Sequence, residues 1–197
     1  ESKTCEYNQT ITAPDAPTKE GFEFIAWYAD DALTTKWNFE TPVTENKTLY
    51  AKWVQGTVSD NEDHVDEVEA EGLNNIAKAE ETDIKLVVQT EPITEDDTEQ
   101  TAIKGITDAP NNFNFYDITL EKSTGGYVTD ATSVIEIKLP YDFSRKTNIK
   151  VYRYHNGAPA ELELLNVRAT TPYVDGKCYI DIANNCIYIY SSKFSTY

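Results

Sequence analysis

The chain has 197 residues, 34 acidic and 17 basic, and a net charge of −17. That excess excludes binding to a phosphate backbone, whose affinity comes from Lys and Arg releasing counterions, and it disfavours an anionic membrane surface. The length suits two domains, and 13 Tyr with no Met lean the core toward half-buried pleated strands.

Residues 1–55 form one compositional unit and hold Trp27, Trp37 and Trp53. Thr10-Ile11-Thr12 reads as a short strand ended by Pro14 and Pro17, and Gly21-Phe22 as a turn. Phe22, Phe24 and Ala26 alternate with Glu23, Ile25 and Trp27, the period of a strand with two occupied faces. After the turn Asp30-Asp31, Trp37 and Phe39 alternate until Pro42. Leu49, Ala51 and Trp53 then alternate with Tyr50 and Lys52, which sets Trp and Tyr on opposite faces.

Residues 56–71 read as an acidic linker, with Asp60, Glu62, Asp63, Asp66, Glu67, Glu69 and Glu71 and no Lys or Arg. Val65, Val68, Leu73 and Ile76 trace a loose stripe that predicts a helix over about 64–80, weakened by Gly72.

Residues 72–197 read as a β-sandwich with one or two short helices. A strand is predicted over 84–88, and a helix over 94–107 capped by Thr94 or Asp96. Further strands are predicted over 113–120, 134–139, 149–154, 161–167, 177–182 and 187–190. Gly125-Gly126, Asn156-Gly157, Asp175-Gly176 and Asn184-Asn185 mark turns, and Asn-Gly between alternating strands is the strongest short hairpin signal. Short strands at even spacing with repeated turns point to a sandwich. The fold class is mostly β.

Chemistry-bearing patterns are sparse. No H-E-x-x-H, C-x-x-C, G-x-S-x-G, P-loop or dinucleotide fingerprint occurs. His64 lies in the acidic stretch, and His155 is expected to be an exposed turn residue. Cys5, Cys178 and Cys186 are an odd number, so no disulfide framework is expected. A short turn at 183–185 would place Cys178 opposite Tyr190, two residue pairs from Cys186, which predicts free thiols. The acids of 60–66 lack a calcium loop, and Glu95-Asp96-Asp97 suit a helix N-terminus. No cofactor and no metal are expected. Lys138 or Lys150, if turned inward, would suit a Lys–Asn isopeptide cross-link.

The first unit resembles a known family. Ile11-Thr12-Ala13-Pro14, Gly21-Phe22-Glu23-Phe24-Ile25-Ala26-Trp27-Tyr28, Trp37-Asn38-Phe39, Pro42-Val43-Thr44 and Leu49-Tyr50-Ala51-Lys52-Trp53 resemble the Listeria–Bacteroides repeat, the internalin-B-type B repeat. Two departures stand out: Ala26 occupies the place of a usual glycine, and the family's first strand is not seen, which would leave a sheet edge open to pairing. The segment 149–157 and the ending Phe194-Ser195-Thr196-Tyr197 resemble a β domain of gut Firmicutes surface proteins. The chain thus reads as a piece of a longer protein.

The resemblance implies a small β-grasp-like module at 1–55, export to the bacterial surface or medium, and a non-catalytic role as spacer or adhesin. Expected partners are a host or bacterial surface protein or a glycan, with no nucleic acid and no membrane insertion in this segment, and a monomer or weak edge-paired dimer. The second reading is a carbohydrate- or protein-binding module. Its ligand contacts would be Trp27, Tyr28, Tyr50 and Trp53, because aromatic rings give contact area at little entropy cost.

Overall fold

The computed structural model describes residues 2–59, 65, 67–92, 97–107 and 113–194. In chain order its strands are β1 (Glu23–Tyr28), β2 (Tyr50–Val54), β3 (Gly56–Val58) and β4 (Glu69–Glu71). Then come helix α1 (Leu73–Glu80), β5 (Ile84–Glu91), helix α2 (Thr98–Gly105), β6 (Phe115–Lys122) and β7 (Asp130–Pro140). The rest are β8 (Tyr152–His155), β9 (Ala158–Glu161), β10 (Glu163–Leu164), β11 (Lys177–Asp181) and β12 (Cys186–Lys193). The fold is mostly β, with these two short helices.

β1 and β2 pair antiparallel as a two-stranded sheet. A bulge at Ile25 shifts the register, so Phe24 faces Trp53 while Trp27 faces Ala51. The extra residue reverses the alternation. Phe24, expected on the face opposite Trp27, therefore lies on the same face, its ring 5.5 Å from Trp27 and 5.6 Å from Trp53, edge to face in both cases. Neither 10–12 nor 37–39 forms a strand: Gln9 makes an isolated bridge to Val43, and Trp37 N–H donates to Trp27 O at 2.8 Å.

The described ends of the acidic stretch are strands. β3 pairs parallel with β5, and β4 pairs antiparallel with β7, where Glu69 sits opposite Lys138. That opposite charge suits Glu69 to the ladder, whereas Glu71 sits opposite Glu136, whose carboxylate is taken up by Arg168. The helix begins only at Leu73, because Gly72 at φ +96° starts it and β4 ends beside it. Leu73, Ile76 and Ala77, at helical spacing, are its buried face.

Two larger sheets share one core. The first has the order β3-β5-β6, the second β10-β11-β12-β7-β4. Ile84, Leu86, Val88 and Leu120 from the first meet Ile135, Ile137 and Leu139 from the second, together with the buried face of α1. Val54 of β2 belongs to the same cluster and Ile25 packs against it, so the β1–β2 sheet is joined to this core through α1. Lys78 pairs with Glu23 at 3.0 Å, and Lys36 with Glu81 at 2.5 Å, across that junction.

The second sheet has an outer face as well. Glu136 and Lys138 of β7 and Cys186, Tyr188 and Tyr190 of β12 stand there, partly covered by Leu165, Ala169 and Tyr173. The β8–β9 hairpin forms as its Asn-Gly signal requires: His155 pairs Ala158 around Asn156 (φ +49°) and Gly157 (φ +80°). In the β11–β12 hairpin Asp181 pairs Cys186 around four loop residues, one more than expected, because the Asp181 carboxylate caps the loop by accepting from Asn184 N at 3.1 Å.

Candidate functional site

The four aromatic residues proposed as ligand contacts do not make one exposed row. Tyr28 is buried, Trp27 and Trp53 are half-buried around Phe24, and Tyr50, opposite Tyr28 in the register, is 39% exposed. Lys52 Nζ lies 5.8 Å from the Tyr28 ring.

The other candidate positions resolve as follows. His155 ends β8 and is buried, a correction to the exposed turn residue expected. The two-residue loop leaves it on the ladder, with Nε2 3.1 Å from Asp130 Oδ1 and 3.0 Å from Asn156 Nδ2. Cys178 faces Ile189 instead of Tyr190, an odd number of residues along β12 from Cys186, so the two free thiols lie on opposite faces of the sheet. Lys138 pairs with Glu69 at 2.6 Å and Lys150 with Glu161 at 3.0 Å, both partly exposed, so neither is the inward lysine that an isopeptide bond needs. Asp97 caps α2, accepting from Glu99 N at 2.9 Å and Gln100 N at 2.8 Å; Thr94 and Asp96 lie outside the described residues, as does His64. Among the described residues no three His, Cys, Asp or Glu side chains group as a metal site.

A cavity of about 560 Å³ opens where the sequence offered no motif, at the α2 end of the two sheets. Its floor is Ile137, Leu139, Ile187 and Ile189 from β7 and β12. Tyr116 and Ile118 of β6 form one wall, and Lys150, Tyr152 and Leu162, around the β8–β9 hairpin, form another. Gln100 and Ile103, the buried residues of α2, close the end. Tyr141 joins the lining, and Lys146 Nζ stands 4.2 Å over its ring.

Carboxylates gather at one rim. Burial, then the charges of Asp97, Glu91 and Asp117, push Glu99 up to about 7. Burial and Glu91 raise Asp117, on the opposite face of β6 from Tyr116, to about 6. Asp117 Oδ1 is buried without a hydrogen-bond partner. Like charges held in a partly dry place resist ionisation together. The arrangement suits a guest that brings a cation and apolar side chains.

The sequence held these residues as strand and helix positions. Their convergence depends on which strand edges stay unpaired, and no local pattern carries that.

Residues 1–52 match the sequence model of the Listeria-Bacteroides repeat domain. A candidate membrane protein of Evansella cellulosilytica is 50% identical over 73 residues, 34% of this chain and 11% of that protein. A candidate Gly-rich membrane protein of the same organism is 46% identical over 80 residues, 38% of this chain and 9% of its own length. Internalin H of Listeria monocytogenes is 44% identical over 54 residues, 26% of this chain and 10% of that protein. The chain thus spans about a tenth of the curated relatives it matches. No solved structure matches it. Among the described residues no helix is long and apolar enough to cross a membrane. Residues 1–52 are therefore a Listeria-Bacteroides repeat module.

Proposed function

We propose that this chain is a non-catalytic segment of an exported bacterial surface protein, serving as a stiff spacer that also presents an interaction site. The observation that carries the reading is the shared core. Ile25 of the repeat and Val54, just past the matched residues, pack into one cluster with Leu73 and Ile76 of α1 and Ile135 of β7. Modules joined by such a core tumble as one body, whereas domains on a flexible linker move independently. A stiff junction suits a part that holds a binding region away from a surface. The charge of −17 keeps neighbouring copies apart.

Amide ¹⁵N relaxation on the whole chain tests the reading. One rotational correlation time should describe β1–β2 and β7–β12 alike. Two distinct times would remove the spacer argument. Surface labelling of intact cells with an impermeant amine reagent tests export, and failure to label the protein would count against it.

The alternative, a carbohydrate- or protein-binding module acting through Trp27, Tyr28, Tyr50 and Trp53, has less in its favour, since Tyr50 alone of the four is exposed.

A further inference from the structure

Two strand edges turn toward the cavity at the α2 end. On the side of β6 away from β5, Leu120 O accepts from Val128 N at 2.9 Å and Lys122 N–H donates to Gly126 O at 3.0 Å. Even-numbered residues of β6 therefore direct their backbone groups outward. The β5–β6 register runs without a bulge, so Tyr116 and Ile118 share that direction. Among the described residues their outward N–H and C=O groups meet no backbone partner, and both residues line the cavity.

The hairpin supplies the second edge. Val151 O accepts from Leu162 N at 2.8 Å, so Val151 and Arg153 turn to β9, while Lys150 and Tyr152 turn away from it and line the same cavity. Beneath lie the apolar residues Ile137, Leu139, Ile187 and Ile189. At the rim Glu91 and Glu99 stand close enough to repel one another.

An open strand edge over an apolar floor is the geometry that an extended backbone satisfies. It offers main-chain partners at every second residue, and alternate side chains of the guest fall into the floor. The crowded carboxylates add a preference for positive charge at one end of the guest. The stretch 115–119 of β6, which has no second partner strand among the described residues, accommodates a strand of about five residues, roughly 17 Å at about 3.4 Å each.

We propose that this cleft takes an extended segment of another polypeptide, added as a strand to the β6 edge at Tyr116 and Ile118. Its apolar side chains stand at alternate positions, and a Lys or Arg lies beside Glu91 and Glu99. The proposal goes beyond the spacer reading and stands or falls without it.

The test uses the whole chain labelled with ¹⁵N and a nine-residue synthetic peptide of alternating Val and Thr, with one Lys near an end. Binding should shift the Tyr116 and Ile118 amide signals and slow their hydrogen exchange about tenfold or more, as an added strand bond does. The same peptide N-methylated at alternate amides should bind at least about tenfold more weakly. Glu99→Gln should weaken the Lys-bearing peptide several-fold and leave a peptide with Thr in place of Lys unaffected.

Four results would overturn the proposal. The two amides do not respond to the peptide. The N-methylated peptide binds equally well. The amides are already protected in the free chain, which means that the edge is filled from within it. Or they become protected only as the chain self-associates, which assigns the cleft to a second copy.

Discussion

The Arg168 guanidinium closes on the Glu136 carboxylate with two hydrogen bonds, Nε to Oε2 at 3.0 Å and Nη2 to Oε1. Glu136 is 2% exposed, on the outer face of β7. Arg168 reaches it from the segment that crosses this face and lies 4.2 Å over the Tyr188 ring. Beside it Ala169 N–H donates to Tyr190 Oη at 3.0 Å, and Tyr173 O–H donates to Glu71 at 2.7 Å. Removing the arginine strands a buried carboxylate, which costs about 3 kcal/mol, the low end for buried pairs because Arg168 is itself half-exposed. Urea unfolding of Arg168→Ala should show that loss, and adding Glu136→Gln should recover most of it. If the double variant is as unstable as the single one, the cost lies in the lost stacking on Tyr188 and not in the stranded charge.

The joint between the repeat and the larger sheets depends on one missing side chain. A Cβ on Gly56 would stand 2.3 Å from Leu73 Cβ and 2.5 Å from its carbonyl carbon. Gly56 N–H also donates to Asn74 Oδ1 at 2.7 Å, which fixes α1 against β3. Gly56→Ala should destabilise the chain by about 1–3 kcal/mol, the usual range for overpacking. Gly105, in α2, has open space around its Cβ position, and Gly105→Ala should stabilise by about 0.5–1 kcal/mol through helix propensity. Equal unfolding midpoints for the two variants would contradict the steric argument.

These positions show what the sequence makes legible. β5, β6 and the Asn156-Gly157 hairpin follow from alternation and turn chemistry, which are local. The bulge at Ile25 does not, because a register shift is set by the partner strand, and it moved Phe24 to the Trp face. β4 was hidden by charge, since Glu69 has its opposite charge in Lys138 across the ladder, and the three-residue β3 was hidden because its parallel partner β5 lies far along the chain. The cleft residues Tyr116 and Ile118 were readable as strand positions. That their outer edge meets no partner among the described residues is a property of topology, and no window of sequence contains it.

Thiol chemistry separates the three cysteines. Cys5 is exposed, whereas Cys178 and Cys186 are each 1% exposed. Burial also pushes the Cys178 thiol up to about 11, which leaves almost no reactive thiolate at neutral pH. A colorimetric disulfide reagent should titrate one thiol per native chain quickly and the other two only on unfolding. Rapid reaction of a second thiol in the native protein would mean that the β11–β12 packing is looser than described.

Stability should fall as pH rises from about 4 to about 7. In the folded chain Glu99 holds its proton up to about 7, against an ordinary value of 4.5, and Asp117 up to about 6, against 3.8. Across that window the folded state binds more protons than the unfolded one, so the slope of unfolding free energy against pH is negative. The contribution is complete below the unfolded values and lost above the folded ones. Asp30, Glu45, Asp142 and Asp175 are lowered by hydrogen bonds, by Lys47 or by Arg153 and act with the opposite sign, below about pH 5. Thermal unfolding at pH 5 and pH 8 should therefore show a higher midpoint at pH 5, and Glu99→Gln should shrink the difference. An unchanged difference would place the slope elsewhere. The same linkage reaches the cleft: a bound peptide whose Lys lies beside Glu99 favours the carboxylate, so binding near neutral pH should release a proton, and calorimetry in buffers of different ionisation heat would detect it.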